Sequence, residues 1–404
     1  MEFMTRLHVA FSVLLFFSLA ARAQARDGLS CRLDGVIDRW VNEERIVGVV
    51  ALVARDGELV YHRAAGFADR EAHKPVREDT LFRLASMTKA IVSATALALV
   101  DRGKLSLHDP VDEWLPYFTP RLADGRQPRL TIRQLMTHTS GLGYDFLDPE
   151  GSPYRLHGIG NGLHQPGLSL EDVLRRLASL PLAFEPGTAW RYSMSTDVLG
   201  GVIEQAAAMP LPAAVARFVT EPLDMDDTAF VVVDEDRLAT PYRDGKGAAV
   251  RMDPELDTIP MGPGVPFSAD QVFDARTYPS GGAGMVGTAS DYLAFLEAIR
   301  TGGGPILGGS SASAFSQHAI GELRAWMEGD GWGFSVGSAA VLVDPEAAQT
   351  PQSRGTWQWG GVLGSHWFVD PVEKLTVVVV TNTAVAGVIG PFPEAIRDAI
   401  YGGT

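Results

Sequence analysis

Thr80-Leu81-Phe82-Arg83-Leu84-Ala85-Ser86-Met87-Thr88-Lys89-Ala90-Ile91-Val92 is the stretch on which the reading of this chain turns. Thr80 to Leu84 is strand-like, and Ser86 to Val100 has the character of a helix. Ala90 to Leu99 is apolar almost all the way round, which predicts a helix buried between a sheet and a helical region. Residues three apart share one helix face, so the Lys89 side chain can reach the Ser86 hydroxyl within one turn. Burial and the positive end of the helix both disfavour an added charge there, leaving a neutral amine to accept the serine proton. The same helix start points backbone N–H groups outward, where the amide of Ser86 can stabilise an oxyanion. Taken alone, Ser-x-x-Lys is common by chance, and a serine cap beside a solvated lysine explains it.

Outward from this stretch, Asp34 to Arg45 has helical spacing and Ile46 to Arg55 is a β-branched run. Asp56-Gly57 is a type I′ turn signal, and Glu58 to Ala65 continues extended, which makes a hairpin. Far along the chain, Gly331 to Val343, Thr356 to Trp359, Gly364 to Asp370 and Leu375 to Thr381 read as an antiparallel meander with a turn at Pro371-Val372-Glu373-Lys374. A lone hairpin is marginal in water, so one sheet built from both chain ends is expected. Between them, Leu170 to Ser179, Thr196 to Ala207, Pro212 to Val219 and Ser290 to Arg300 are helix-like. The loops from Asp145 to Pro166 and from Pro254 to Pro266 are candidate pocket walls, and Thr301 to Ser313 reads as a flexible surface loop. The expected fold is α/β: an antiparallel sheet flanked by helices (about 32–85 and 280–402) plus an all-helical lobe (about 86–279), with the site between them.

Composition narrows the function. With 404 residues, 46% of them hydrophobic and 21% charged, global disorder is excluded. A net charge of −15, from 34 Lys+Arg against 49 Asp+Glu, repels nucleic acid and anionic lipid and leaves small neutral or cationic substrates open. The single cysteine, Cys31, makes no internal disulfide, and no Cys-x-x-Cys pair or His-rich tract suggests a metal, so neither metal nor cofactor is expected. Residues 1–25 read as a secretory signal peptide: an Arg near the start, an apolar run from Val9 to Ala21, then small-x-small cleavage sites. That run is too short to span a bilayer, so the mature chain (26–404) is expected to be free of membrane insertion, in the periplasm or secreted.

Two further motifs carry chemistry. Glu185-Pro186-Gly187-Thr188-Ala189-Trp190-Arg191-Tyr192-Ser193-Met194 ends where a helix begins, a place from which Tyr192 can enter a cleft. Trp357-Gln358-Trp359-Gly360-Gly361-Val362-Leu363-Gly364 lies at a strand edge, where glycines allow close approach of a substrate. Each alone has an ordinary structural explanation. In this order, the three resemble the motifs of the serine β-lactamase and penicillin-binding-protein superfamily, in which Ser-x-x-Lys, a Tyr-x-Asn-like motif and a Lys-Thr-Gly-like strand line one cleft. Leu135-Met136-Thr137-His138-Thr139-Ser140-Gly141-Leu142 and Ser280-Gly281-Gly282-Ala283-Gly284-Met285 resemble its scaffolding, and the resemblance spans about residues 32 to 402.

The departures point to a subfamily. Met194 stands where a class C β-lactamase carries Asn, and Trp359-Gly360-Gly361 stands for Lys-Thr-Gly, which removes the cation that would bind a β-lactam or peptide carboxylate. The pattern is similar to the family VIII carboxylesterases. That resemblance implies Ser86 as nucleophile, Lys89 as general base, Tyr192 as proton relay to the leaving alcohol, and the amides of Ser86 and Val362 as oxyanion hole. It further implies Trp359, Gly360, Gly361, Tyr144 and Met194 along the substrate, a small neutral ester, short-chain by analogy with the family. Asp197 matches these esterases too, although a helix-start carboxylate explains it equally well. The rivals are a β-lactamase or D-alanyl-D-alanine peptidase, and a silent binding module on the same fold. Gly333-Phe334-Ser335-Val336-Gly337 matches a nucleophile elbow, but it lies in a run expected to be extended through Val343, with no helix after it. Gly282-Ala283-Gly284-Met285-Val286-Gly287 matches a dinucleotide fingerprint without the preceding strand. His138 and His366 have no carboxylate motif to orient them and read as structural.

Overall fold

The expected hairpin is formed by β1 (Gly48–Arg55) and β2 (Glu58–Asp69). Asp56 (φ 53°) and Gly57 (φ 85°) are both left-handed at its turn, as type I′ requires. The computed structural model describes residues 28–147, 152–164, 167–274 and 276–403, so the leader assigned to 1–25 lies outside the described residues. The rest of the sheet is β3 (Lys74–Pro75), β4 (Trp332–Phe334), β5 (Ala340–Leu342), β6 (Trp357–Gly361), β7 (Ser365–Asp370) and β8 (Leu375–Thr381), in the order β4-β5-β6-β7-β8-β1-β2-β3. Every pairing in it is antiparallel, and the two chain ends meet where β1 runs beside β8, from Val49 opposite Thr381 to Arg55 opposite Leu375.

Period-two alternation gives the sheet two apolar faces. Val49, Ala51, Val53, Val377 and Val379 pack with Leu33, Ile37 and Trp40 of α1 (28–42) and with Phe392 and Ile396 of α7 (Pro391–Tyr401). Val50, Leu52, Trp367, Val378 and Val380 face the other way, into the core that holds α2 (Thr88–Asp101) and α4 (Ser195–Ala207). α2 is buried from Thr88 to Leu99, as its all-round apolar surface predicts. α3 (Leu170–Ala178) and α5 (Ala289–Arg300) also form where their spacing places them.

Three expectations are corrected. The lobe between the two parts of the sheet is not all-helical: Tyr242–Arg243 pairs with Val250–Arg251 and Asp257–Ile259 with Val265–Phe267, because Pro- and Gly-rich segments resist helix and fold back as short ladders. Gly331 to Val343 is not one extended run but the hairpin β4–β5, turning between Phe334 and Ala340 with Ser338 at φ 55°. Thr301 to Ser313 is no flexible loop. It leads into α6 (Gly309–Ser316), whose Ala312 and Phe315 are buried, and Asp101 accepts from Gly308 N (2.7 Å) and Ser311 Oγ (2.6 Å). Pro212 to Val219 is helical as expected, α-helical over Leu211–Val215 and π-helical over Ala216–Thr220.

Candidate active site

Ser86 sits in the 3-10 turn Ala85–Met87 that feeds α2. Ala85 is held at φ 46°, a conformation that costs a residue with a Cβ and persists only where its surroundings enforce it. Two neighbours do so. Phe82–Arg83 pairs antiparallel with Val286–Gly287, and Leu84 N donates to Met285 O at 2.9 Å. On the other side β6 presses in: a Cβ on Gly361 would lie 2.3 Å from the Leu84 carbonyl oxygen, so only glycine permits the approach.

Lys89, 1% exposed, donates through Nζ to Ser86 Oγ at 3.3 Å and to the Gly282 carbonyl at 2.7 Å. Its Nζ also lies 4.6 Å from the ring centroid of Tyr192 and 5.3 Å from that of Tyr144, whose π-faces partly replace the water it has lost. Tyr192, in the loop ahead of α4, places its hydroxyl 2.7 Å from Ser86 Oγ. The serine is thus held between an amine and a phenol, an arrangement that can pass a proton in either direction.

Behind Lys89 the structure builds a support from Asp197 and from Ser280 to Gly282, the latter expected only as scaffolding. Asp197, on the first turn of α4 and fully buried, accepts from Ser280 Oγ at 2.6 Å and from Gly282 N at 3.4 Å. Burial pushes its carboxyl above the usual range, against the pull of the Ser280 hydrogen bond and of Lys89. A Cβ on Gly282 would fall 2.7 Å from Asp197 Oδ2 and 2.9 Å from the Tyr144 hydroxyl, so the residue that anchors Lys89 must be glycine. The fingerprint-like run from Gly282 to Gly287 therefore serves the lysine.

These groups open into a cavity of about 470 Å³. Tyr144, Trp359, Gly360 and Val362 line it with Ser86, Lys89 and Tyr192. Phe146, Asn161 and Leu163 come from one expected wall loop, Met261 and Val265 from the other. Two expected substrate contacts are displaced. Met194 is 1% exposed in the core beneath the site, because it caps α4, and Gly361 spends its missing side chain on Leu84. Two aromatic rings were missed: Phe334 lies 5.4 Å from Trp359 and 5.3 Å from Trp190, closing a ring wall that also holds Tyr192. Trp190, two residues before Tyr192, was the signal for it.

The two histidines are both buried and hydrogen-bonded, and His366 also lines the cavity. His138 shares a hydrogen bond with Ser193 Oγ (3.0 Å) and lies 4.9 Å from the Tyr192 ring, and burial with the nearby Lys89 charge holds its imidazole well below the usual value. His366 shares one with Gly387 O (2.8 Å), and burial takes it down to about 4. Ser335 is buried at the end of β4, where its Oγ accepts from Gly337 N at 3.2 Å, and no helix follows it.

An antiparallel sheet built from both chain ends, with a Ser-x-x-Lys helix start and a tyrosine converging beside its strand β6, defines the serine β-lactamase and penicillin-binding-protein class of fold and site. The family model described as Beta-lactamase matches residues 33–392, and the chain belongs to that family. It is 52% identical over 376 residues to Esterase EstB of Burkholderia gladioli, across 92% of this chain and 95% of that one. The solved structure of EstCE1, described as a hydrolase with promiscuous acyltransferase activity, superposes with a TM-score of 0.90 at 44% identity, over 94% of this chain and 100% of that one. Unliganded simvastatin synthase from Aspergillus terreus, in its selenomethionyl form, shares the fold with a TM-score of 0.74 at 22% identity, over 92% and 97% of the two chains. Within the family, this chain is one of the family VIII, β-lactamase-like esterases.

Proposed function

We propose that this protein hydrolyses neutral carboxylic esters with short acyl groups through an acyl-serine intermediate. Ser86 Oγ attacks the ester carbonyl carbon as its proton passes to Lys89 Nζ, and the amides of Ser86 and Val362 hold the oxyanion. Tyr192 delivers a proton to the alcohol oxygen as the carbon–oxygen bond breaks. Water then attacks the acyl group, its proton returns through the same pair, and the acid leaves as Ser86 regains its hydrogen. The observation that carries this reading is the 2.7 Å contact of Tyr192 with Ser86 Oγ, opposite Lys89 Nζ at 3.3 Å. Trp359 supports the choice of neutral esters, since it offers an apolar face where a lysine would bind a carboxylate.

The test is a side-by-side assay of p-nitrophenyl butyrate and a chromogenic cephalosporin, with wild type and Ser86→Ala. Ester turnover that disappears in the variant, with little lactam opening, is expected. Dominant lactam opening would move the protein to the β-lactamases, and no turnover of either would favour a silent binding module. We also infer export to the periplasm or medium with removal of residues 1–25, on the pattern of that segment. The intact mass of protein from a periplasmic extract checks this, and a mass that retains the leader overturns it.

A further inference from the structure

A second cavity, of about 390 Å³, lies on the far side of the turn that anchors Lys89. It shares Leu163 and Ala283 with the catalytic cavity, so the two spaces abut at those side chains. Small residues make the partition thin. Gly162, at φ 85°, packs against the Ser280–Ala283 turn, and a Cβ there would lie 3.2 Å from that of Ala283. Beyond it, Phe230, Phe267, Val272 and Met285 make apolar walls, and the exposed Phe273 marks a mouth to solvent. Three charged residues stand on its lining: Arg83 donates to the carbonyls of Ala239 (3.0 Å) and Ala269 (2.8 Å) while its Nε has no partner among the described residues, Asp274 pairs with Arg276 at 2.7 Å, and Glu235 is exposed to solvent. None of the groups proposed for the ester reaction lines this space.

We propose that this second cavity is a subsite for the apolar arm of a longer ester, entered from the catalytic cavity past Leu163 and Ala283. It rests on the ester-hydrolase reading and extends it: short acyl groups fill the first cavity alone, while an unbranched chain of eight to ten carbons continues into the second. Its size is within the range of small-molecule sites. Each methylene that leaves water for its walls is expected to raise kcat/KM by up to roughly fourfold. The arm can belong to the acyl group or to the alcohol, and the two are separated by experiment.

Wild type, Val272→Trp, which fills the cavity from its rim, and Phe230→Ala, which enlarges it, are assayed in a pH-stat against ethyl acetate, ethyl decanoate and decyl acetate. The ratio of kcat/KM for the long ester to that for ethyl acetate is expected to fall at least tenfold in Val272→Trp and to rise in Phe230→Ala. A change confined to ethyl decanoate assigns the cavity to the acyl arm, and one confined to decyl acetate assigns it to the alcohol arm. Unchanged ratios for both long esters in both variants overturn the subsite. Ethyl acetate keeps this failure distinct from that of the parent reading, since its turnover depends on Ser86 and not on the second cavity.

Discussion

The two faces of the sheet use the same strands for opposite purposes. On the outer face Val49, Val53, Val377 and Val379 meet α1 and α7 in an apolar layer. On the inner face the same alternation delivers Val50, Val378 and Val380 to a core that also contains Lys89, Ser93, Thr95 and Asp197, all buried. Buried polar and charged groups stabilise a fold only when each finds a partner. The inner face meets most of this with short contacts such as Lys89 to Gly282 and Ser280 to Asp197, although Asp197 Oδ2 has no partner among the described residues, while the outer face supplies mainly apolar burial with His366 as a buried polar exception. Stability and chemistry are thus divided between two sides of one layer.

The largest test of that division is on the inner face. Ser86→Ala and Lys89→Ala are each expected to reduce kcat by at least about 10³-fold, to similar levels because the two act as a unit, with little change in thermal midpoint. Near-normal turnover in Lys89→Ala would remove it as the base. The outer-face counterpart is Phe392→Ala, which empties a fully buried site against Trp40 (ring centroids 5.4 Å apart). It is expected to cost about 3–5 kcal/mol in urea unfolding while the folded fraction keeps its kcat, and a large kcat loss would show that the faces are coupled.

Asp197→Asn keeps the shape behind Lys89 but removes the charge. A loss of kcat of up to about 100-fold is expected, with KM nearly constant, since a slightly misplaced lysine is enough to slow the reaction. Stability is expected to stay level or rise, because an incompletely paired buried carboxylate is removed.

The smallest effect concerns His366, which faces Phe392 on the outer side. Its folded-state value of about 4 lies below the ordinary 6.5, so the unfolded chain binds the proton more readily. Its contribution is complete above about pH 6.5 and is lost as pH falls toward 4, amounting to about 2 kcal/mol between pH 7.5 and 5. Urea unfolding of wild type and His366→Gln at both pH values checks this. An equal loss in the two proteins would show that His366 is not responsible.

Local signals account for much of this molecule. The Asp56-Gly57 turn, the β-branched runs and the buried character of α2 are each written within a few neighbouring residues, and helix periodicity puts Lys89 within reach of Ser86. The turn inside Gly331 to Val343 was not read, although Gly337-Ser338 marks it, because the apolar residues on either side also suit a single strand. Nor was α6, whose Gly- and Ser-rich sequence becomes helical against Asp101, which lies more than 200 residues earlier.

Sequence alone determined the pieces that depend on spacing: the hairpin of β1 and β2, the buried helix that follows Ser86, and that no strand lysine accompanies Trp359. Tertiary structure decided what lies between them. Met194 was turned into the core, Gly361 was used to bring β6 against Leu84, and Asp197 was brought to Ser280 and Gly282, more than 80 residues away, around Lys89. The physical reason is that periodicity records which way a side chain faces on its own element, whereas a partner for a buried charge exists only once distant elements have packed.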